Sequence, residues 1–165
     1  MTLSSGVMLY RVDADGEIRV LIAHMGGPFW ARKDEHAWSI PKGEYVDEEP
    51  EVAAVREFLE EMGSPVPDGE LVDLGQFRQS SGKKITAFVL EADFDAAAIV
   101  SNTFELEWPP KSGRMQSFPE IDRAAWFDVP TARTKLVKGQ IPILDRLVEY
   151  VGSRAGDANQ SSPNQ

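Results

Sequence analysis

Cysteine is absent from the 165 residues, which rules out a disulfide framework, a thiolate nucleophile and a zinc-thiolate site. Basic residues are scarce beside acidic ones, 17 Lys and Arg against 27 Asp and Glu, and the formal net charge of −10 argues against gripping a nucleic-acid backbone through a basic surface. No apolar run approaches membrane-spanning length, and the opening MTLSSGVMLYRVDADG lacks the basic-then-apolar pattern of a signal peptide. The expectation is therefore a cytoplasmic chain with neither nucleic acid nor membrane as partner. Only two histidines are present, neither at metal-ligand spacing from a partner, and His24 and His36 read as structural. No internal repeat is visible.

What remains is enough for one domain with a real core and too little for two of ordinary size. We read residues 1–153 as that domain and the polar, low-complexity stretch 154–165 as a disordered tail. Residues 4–12 and 18–25 are apolar strands around an Asp-Gly turn, predicting a hairpin. Further strands are expected at 38–40, 71–77, 85–90, 103–108 and 124–129, with a helical turn over 130–136 and a closing amphipathic helix from Gln140 to Val151 that Gly152 ends. This order implies an α/β (α+β) fold, a mixed sheet with a helix on each face. Phe29 and Trp30, after a Gly-Pro turn, either cap the core or stack on a base.

The chain is organised around residues 38–66, WSIPKGEYVDEEPEVAAVREFLEEMGSPV: a short strand, a Pro-Lys-Gly turn, an acidic loop and a helix. Pro50 suits a first helical turn and Gly63 the position just past a helix end, so the helix runs from Pro50 to Met62. Val52, Val55, Leu59 and Met62 recur at spacings of three and four and read as the buried stripe, widened by Ala53, Ala54 and Phe58. Glu57, Glu60 and Glu61 stand at i, i+3 and i+4, so their carboxylates converge on one patch. Like charges so spaced cost a few tenths of a kcal/mol per pair and oppose the helix dipole at this end. Either the face is solvated and acidic, or a hard divalent cation with oxygen ligands neutralises it. Arg56 is placed to hold a carboxylate of the loop 47–49 through a bidentate pair.

Gly43, Glu48, Arg56, Glu57, Glu60, Glu61 and Gly63 together resemble the Nudix box, G-x5-E-x7-R-E-U-x-E-E-x-G-U with U apolar. Counting back from Arg56 puts the loop glutamate at Glu48, and counting forward from Gly43 puts it at Glu49; the loop is one residue short, and the helix-side spacing favours Glu48. The resemblance implies an α/β/α Nudix sandwich with a mixed sheet across residues 4–151, Mg²⁺ or Mn²⁺ as cofactor, and attack by water on a diphosphate joined to a group X. It implies Glu57, Glu60, Glu61 and Gly43 as metal-holding residues, with Glu48, Glu49 and Arg56 orienting them from behind. In related Nudix hydrolases a carboxylate shortly before the strand at 124–129 acts as an extra ligand or general base, and Glu120 stands there. Glu57, Glu60, Glu120 and Arg56 are thus the expected catalytic set.

Lys42, Lys111, Arg114 and Trp30 are the expected substrate contacts, the three cations because donors beside a metal complete the neutralisation of a polyphosphate. The SIPKGE opening resembles the branch acting on nucleoside triphosphates and dinucleoside polyphosphates. ADP-ribose or another nucleoside diphosphate sugar is the alternative substrate, and a nucleotide-sensing or protein-binding module without turnover is the alternative class. The oligomeric state is open, a homodimer included.

Overall fold

Successive side chains of a strand point to opposite faces, so a strand apolar at nearly every position needs cover on both sides. The computed structural model describes residues 2–79 and 81–160 and contains three such strands. In chain order the elements are β1 (Leu3–Val12), β2 (Ile18–Met25), β3 (Trp38–Ser39), β4 (Lys42–Tyr45), α1 (Pro50–Met62), β5 (Val72–Arg78), β6 (Lys84–Glu91), β7 (Thr103–Glu107), β8 (Met115–Pro119), β9 (Ile121–Asp128), α2 (Val129–Lys135) and α3 (Ile141–Gln160). Val7 and Leu9 of β1, Leu21 and Ala23 of β2, and Phe88 and Leu90 of β6 face α1, where Ala54, Phe58 and Met62 meet them. Their neighbours Met8, Tyr10, Val20, Ile22, Ala87 and Val89 face the other way, onto Ala132 of α2 and Ile143, Leu144 and Leu147 of α3. A mixed sheet with helices on both faces is what the element order predicts.

The sheet has seven strands in the order β3-β2-β1-β6-β5, with β4 alongside β1 and β9 alongside β2. β1 runs parallel to β6 along one edge, from Leu3 opposite Lys84 to Tyr10 opposite Glu91. Its other edge is shared: β2 takes Tyr10 to Val12, and β4 takes Leu3 to Gly6. Sequence reading divides residues 42–45 between the Pro-Lys-Gly turn and the start of the acidic loop; they form a strand because the first half of β1 offers an edge that β2 does not reach. Gly6 permits the approach, since a Cβ there would lie 2.6 Å from the Pro41 carbonyl oxygen.

Three other expectations are corrected. The limits of α1 are as predicted, Gly63 closing it at φ 78° with its N–H donated to the Leu59 carbonyl, but the buried stripe is rotated. Val52 and Leu59 are 58% and 48% exposed and Val55 is exposed as well, whereas Ala53, Ala54, Phe58 and Met62 are buried. The row Ala53, Glu57 and Glu61 turns toward β4 and takes the flank that the valines would have filled. Secondly, no strand is expected between 103–108 and 124–129, whereas residues 115–119 form β8 and pair with β7 as a separate two-stranded hairpin. Thirdly, α3 runs through Gly152 to Gln160. Gly152 keeps helical backbone at a cost of about 1 kcal/mol, and Arg154 beyond it donates to the Tyr10 hydroxyl at 3.0 Å. Residues 161–165 of the expected tail lie outside the described residues.

Candidate active site

On α1 the residues three and four apart bring the carboxylates of Glu57, Glu60 and Glu61 to the side facing β4. Arg56 is the counterweight. Its Nε and one terminal nitrogen donate to both oxygens of Glu48 at 3.1 and 2.7 Å, and its other terminal nitrogen donates to Glu57 at 2.8 Å and Glu60 at 3.3 Å. One guanidinium thus fixes the loop to the helix and draws two carboxylates together. The hydrogen bonds from Arg56 hold the Glu48 carboxyl below its ordinary range. Of the two candidates for the loop glutamate, Glu48 is the one paired with Arg56; Glu49 caps the helix backbone and its side chain makes no capping bond.

Two contacts tie the helix to β4. The Lys42 amide donates to Glu61 at 3.3 Å. Gly43 lies against Glu57 so closely that a Cβ there would fall 2.0 Å from the carboxylate carbon. Burial pushes the Glu57 carboxyl up, Arg56 opposing and Glu60 adding. Burial pushes Glu61 further, to about 8, with Lys42 opposing and Glu57 and Glu120 adding.

The end of α1 positions a third segment. Carbonyls in the last turn of a helix lack intrahelical partners, and here Met62 and Glu60 receive the amides of Val100 and Asn102 at 3.1 and 2.9 Å. The Asn102 carbonyl in turn accepts from the Glu120 amide at 2.8 Å, and the Glu120 carbonyl accepts from Gly26 at 2.9 Å. A relay of backbone bonds therefore hangs Glu120, roughly sixty residues along the chain, beside the helical carboxylates.

These groups line a cleft of about 570 Å³ formed by Lys42, Gly43, Glu44, Glu57, Glu60, Glu61, Asn102, Thr103 and Glu120. Asn102 and Thr103 were not legible as site residues, since the relay that brings them has no signature in side-chain type. A narrower slot of about 190 Å³ shares Lys42, Glu61 and Glu120 with the cleft and adds Met25, Gly26, Trp30, Ser39, Phe104 and Ile121. Trp30 is thus close to the expected site, with the Lys33 ammonium 5.3 Å from its ring centroid. Lys111 and Arg114 line neither cavity. They sit exposed at the tip of the β7–β8 hairpin, where the Glu107 carboxylate accepts from the amides of Lys111 and Gly113. His24 and His36 are structural: His24 is buried, Nε2 donating to the Lys33 carbonyl at 2.6 Å and Nδ1 lying 2.8 Å from Asp122, and His36 donates to the Leu136 carbonyl.

The cleft suits a divalent cation. Its donors are carboxylate oxygens, the preference of hard ions such as Mg²⁺; the acids outnumber the one ammonium among them, and the bare backbone of Gly43 leaves the Glu57 carboxylate its place. Among the described residues, the acids whose ligand oxygens already lie within 4.8 Å of one another are instead Asp13, Asp15 and Glu17 in the β1–β2 turn, but Arg19 already pairs with Asp13 there and the adjoining pocket of about 180 Å³ takes in only Glu17 of the three. Among the described residues no helix is long and apolar enough to cross a membrane.

Residues 2–147 match the family model described as NUDIX domain. Among solved structures, the chain resembles a Caenorhabditis elegans Ap4A hydrolase in a binary complex at TM-score 0.61 and 18% identity, over 93% of this chain and 99% of that one. It resembles the NUDIX domain of Shewanella oneidensis NrtR complexed with ADP ribose at TM-score 0.61 and 14% identity, over 90% and 87%. The Mycobacterium smegmatis Nudix hydrolase RenU follows at TM-score 0.55 and 19% identity, over 91% and 86%. At these identities the likeness is one of fold. No curated protein sequence matches.

Proposed function

The chain belongs to the NUDIX family and is a hydrolase of that class, and from this premise we propose that it is an Mg²⁺- or Mn²⁺-dependent pyrophosphohydrolase of nucleoside polyphosphates, a nucleoside triphosphate or a diadenosine polyphosphate. The observation carrying this reading is the convergence of Glu57, Glu60, Glu61 and Glu120 with Lys42 on one cleft. Glu57, Glu60 and Glu61, with the backbone at Gly43, would hold the cation. When bound, such an ion neutralises phosphate oxygens and makes the attacking water more acidic. Lys42 meets a phosphate oxygen, and Arg56 and Glu48 keep the helical carboxylates aligned. Glu120, on the opposite wall, accepts the proton of the water that attacks phosphorus.

The acidic surface does not conflict with an anionic substrate, because a bound cation inverts the local field. The test is product release from ATP, diadenosine tetraphosphate, ADP-ribose and 8-oxo-dGTP with Mg²⁺ and with chelator. The expected result is chelator-sensitive cleavage of one of the first two, lowered by roughly 10²–10⁴-fold in Glu60→Gln with folding intact. Turnover that ignored the chelator would contradict the metal assignment, and preference for ADP-ribose would replace the substrate assignment with the diphosphate-sugar alternative.

A further inference from the structure

Phe104 belongs to neither core cluster of the protein, yet its side chain is partly buried. It meets the Phe118 ring across the hairpin, 6.0 Å between centroids, and the turn at Gly27. That residue has φ 94°, and a Cβ on it would fall 2.8 Å from the tip of the Phe104 ring. The Trp30 amide donates to the Gly27 carbonyl at 3.2 Å. Both aromatic residues are thus referenced to the same turn, and both line the 190 Å³ slot that continues into the cleft. That volume corresponds to about six waters at ~30 Å³ each, room for a flat ring system and little else.

We infer that the slot between Trp30 and Phe104 holds the nucleobase of the substrate by stacking, with its phosphates in the adjoining cleft. This rests on reading the cleft as a nucleotide site. The two cavities meet at Lys42, Glu61 and Glu120, so a ring in the slot directs its phosphate chain to the carboxylates. Three of the donors lining the slot are already used. Ser39 Oγ donates to the Ile40 carbonyl and accepts from Gln140, and the amides of Met25 and Gly26 donate to Ala37 and Glu120. The slot therefore reads flatness more than base identity, as base–aromatic stacking does where no hydrogen bond discriminates.

The test is isothermal titration of the full chain, in Mg²⁺, with AMP, GMP and ribose 5-phosphate. AMP and GMP are expected to bind about tenfold more tightly than ribose 5-phosphate, the size of one stacking contact, and within roughly threefold of each other. Phe104→Ala removes that advantage and Phe104→Tyr keeps it; Trp30→Leu is a second, independent variant, and circular dichroism checks that each folds. Equal binding of AMP and ribose 5-phosphate, no binding of AMP, or an advantage that survives both Phe104→Ala and Trp30→Leu overturns the inference. The two readings fail separately: cleavage of nucleotides without an AMP advantage sinks the slot alone, and an AMP advantage without cleavage of any anhydride sinks the proposed reaction alone.

Discussion

Gly43 and Glu57 are in such close register that the glycine's missing methyl group is the space the carboxylate occupies: a Cβ would lie 2.0 Å from its carbon and 2.1 Å from one oxygen. In Gly43→Ala the carboxylate must swing away, while the backbone pairing of β4 with β1 is retained. A displacement of about 1 Å is enough to lower turnover on the order of 10²-fold. Steady-state kinetics beside an unchanged far-ultraviolet spectrum checks this; unaltered kcat would show that Glu57 has no part in the reaction.

Arg56 serves Glu48 through a planar fork, which lysine cannot reproduce although it keeps the charge. Arg56→Lys is expected to raise the Mg²⁺ concentration giving half-maximal activity by about 10–100-fold, the usual effect of losing a group that orients metal ligands. A metal titration at saturating nucleotide measures it. A curve superimposable on that of the parent would reduce the Arg56–Glu48 pair to a loop tether.

The pH response of stability follows from Glu61, whose carboxyl is raised from 4.5 to about 8 by burial. Between those values the folded protein binds more protons than the unfolded chain, so this group's contribution is fully present below the lower value and is lost as pH rises through the upper one. In chelator, Tm is expected to fall over that interval more steeply for the parent than for Glu61→Gln, which stays neutral. Adding Mg²⁺ should diminish the parent's fall by favouring the carboxylate. Parallel curves for the two proteins would mean that Glu61 ionises freely.

His24, enclosed between the Lys33 carbonyl and Asp122, joins the loop carrying Trp30 to the start of β9. His24→Ala removes a fully buried ring together with both bonds, and stability is expected to drop by about 1–3 kcal/mol, two hydrogen bonds at about 0.5–1.5 kcal/mol each. Urea unfolding gives the figure, and a loss below the error of the fit would show that water replaces the ring.

How far the sequence reveals this arrangement depends on how local each interaction is. Pro50, Gly63 and the spacing of Glu57, Glu60 and Glu61 act within one helix, and the limits of α1 and the direction of its carboxylates were readable. The bidentate role of Arg56 was readable for the same reason, whereas the choice between Glu48 and Glu49 needed coordinates. The buried face of α1 departs from the periodic reading because Val52, Val55 and Leu59 have the right period, and period alone does not say which of two adjacent stripes meets the sheet. Asn102 and Phe104 carry no site signal in the sequence because backbone bonds and a bare glycine, features without side-chain chemistry, bring the first to the cleft and the second to the slot. Lys111 and Arg114 drew attention by charge, yet the hairpin carries them to its exposed tip.

Both edges of β1 are occupied, by β6 on one side and by β2 and β4 on the other, whereas among the described residues β7 and β8 pair only with each other. In deuterated solvent the amides of β1 are therefore expected to exchange last and those of the hairpin early. The helix carrying Glu57, Glu60 and Glu61 packs on β1, whereas Phe104 belongs to the hairpin. On the proposed reading of the slot, substitutions at Phe104 would retune what is recognised while the carboxylates of α1 stay in place.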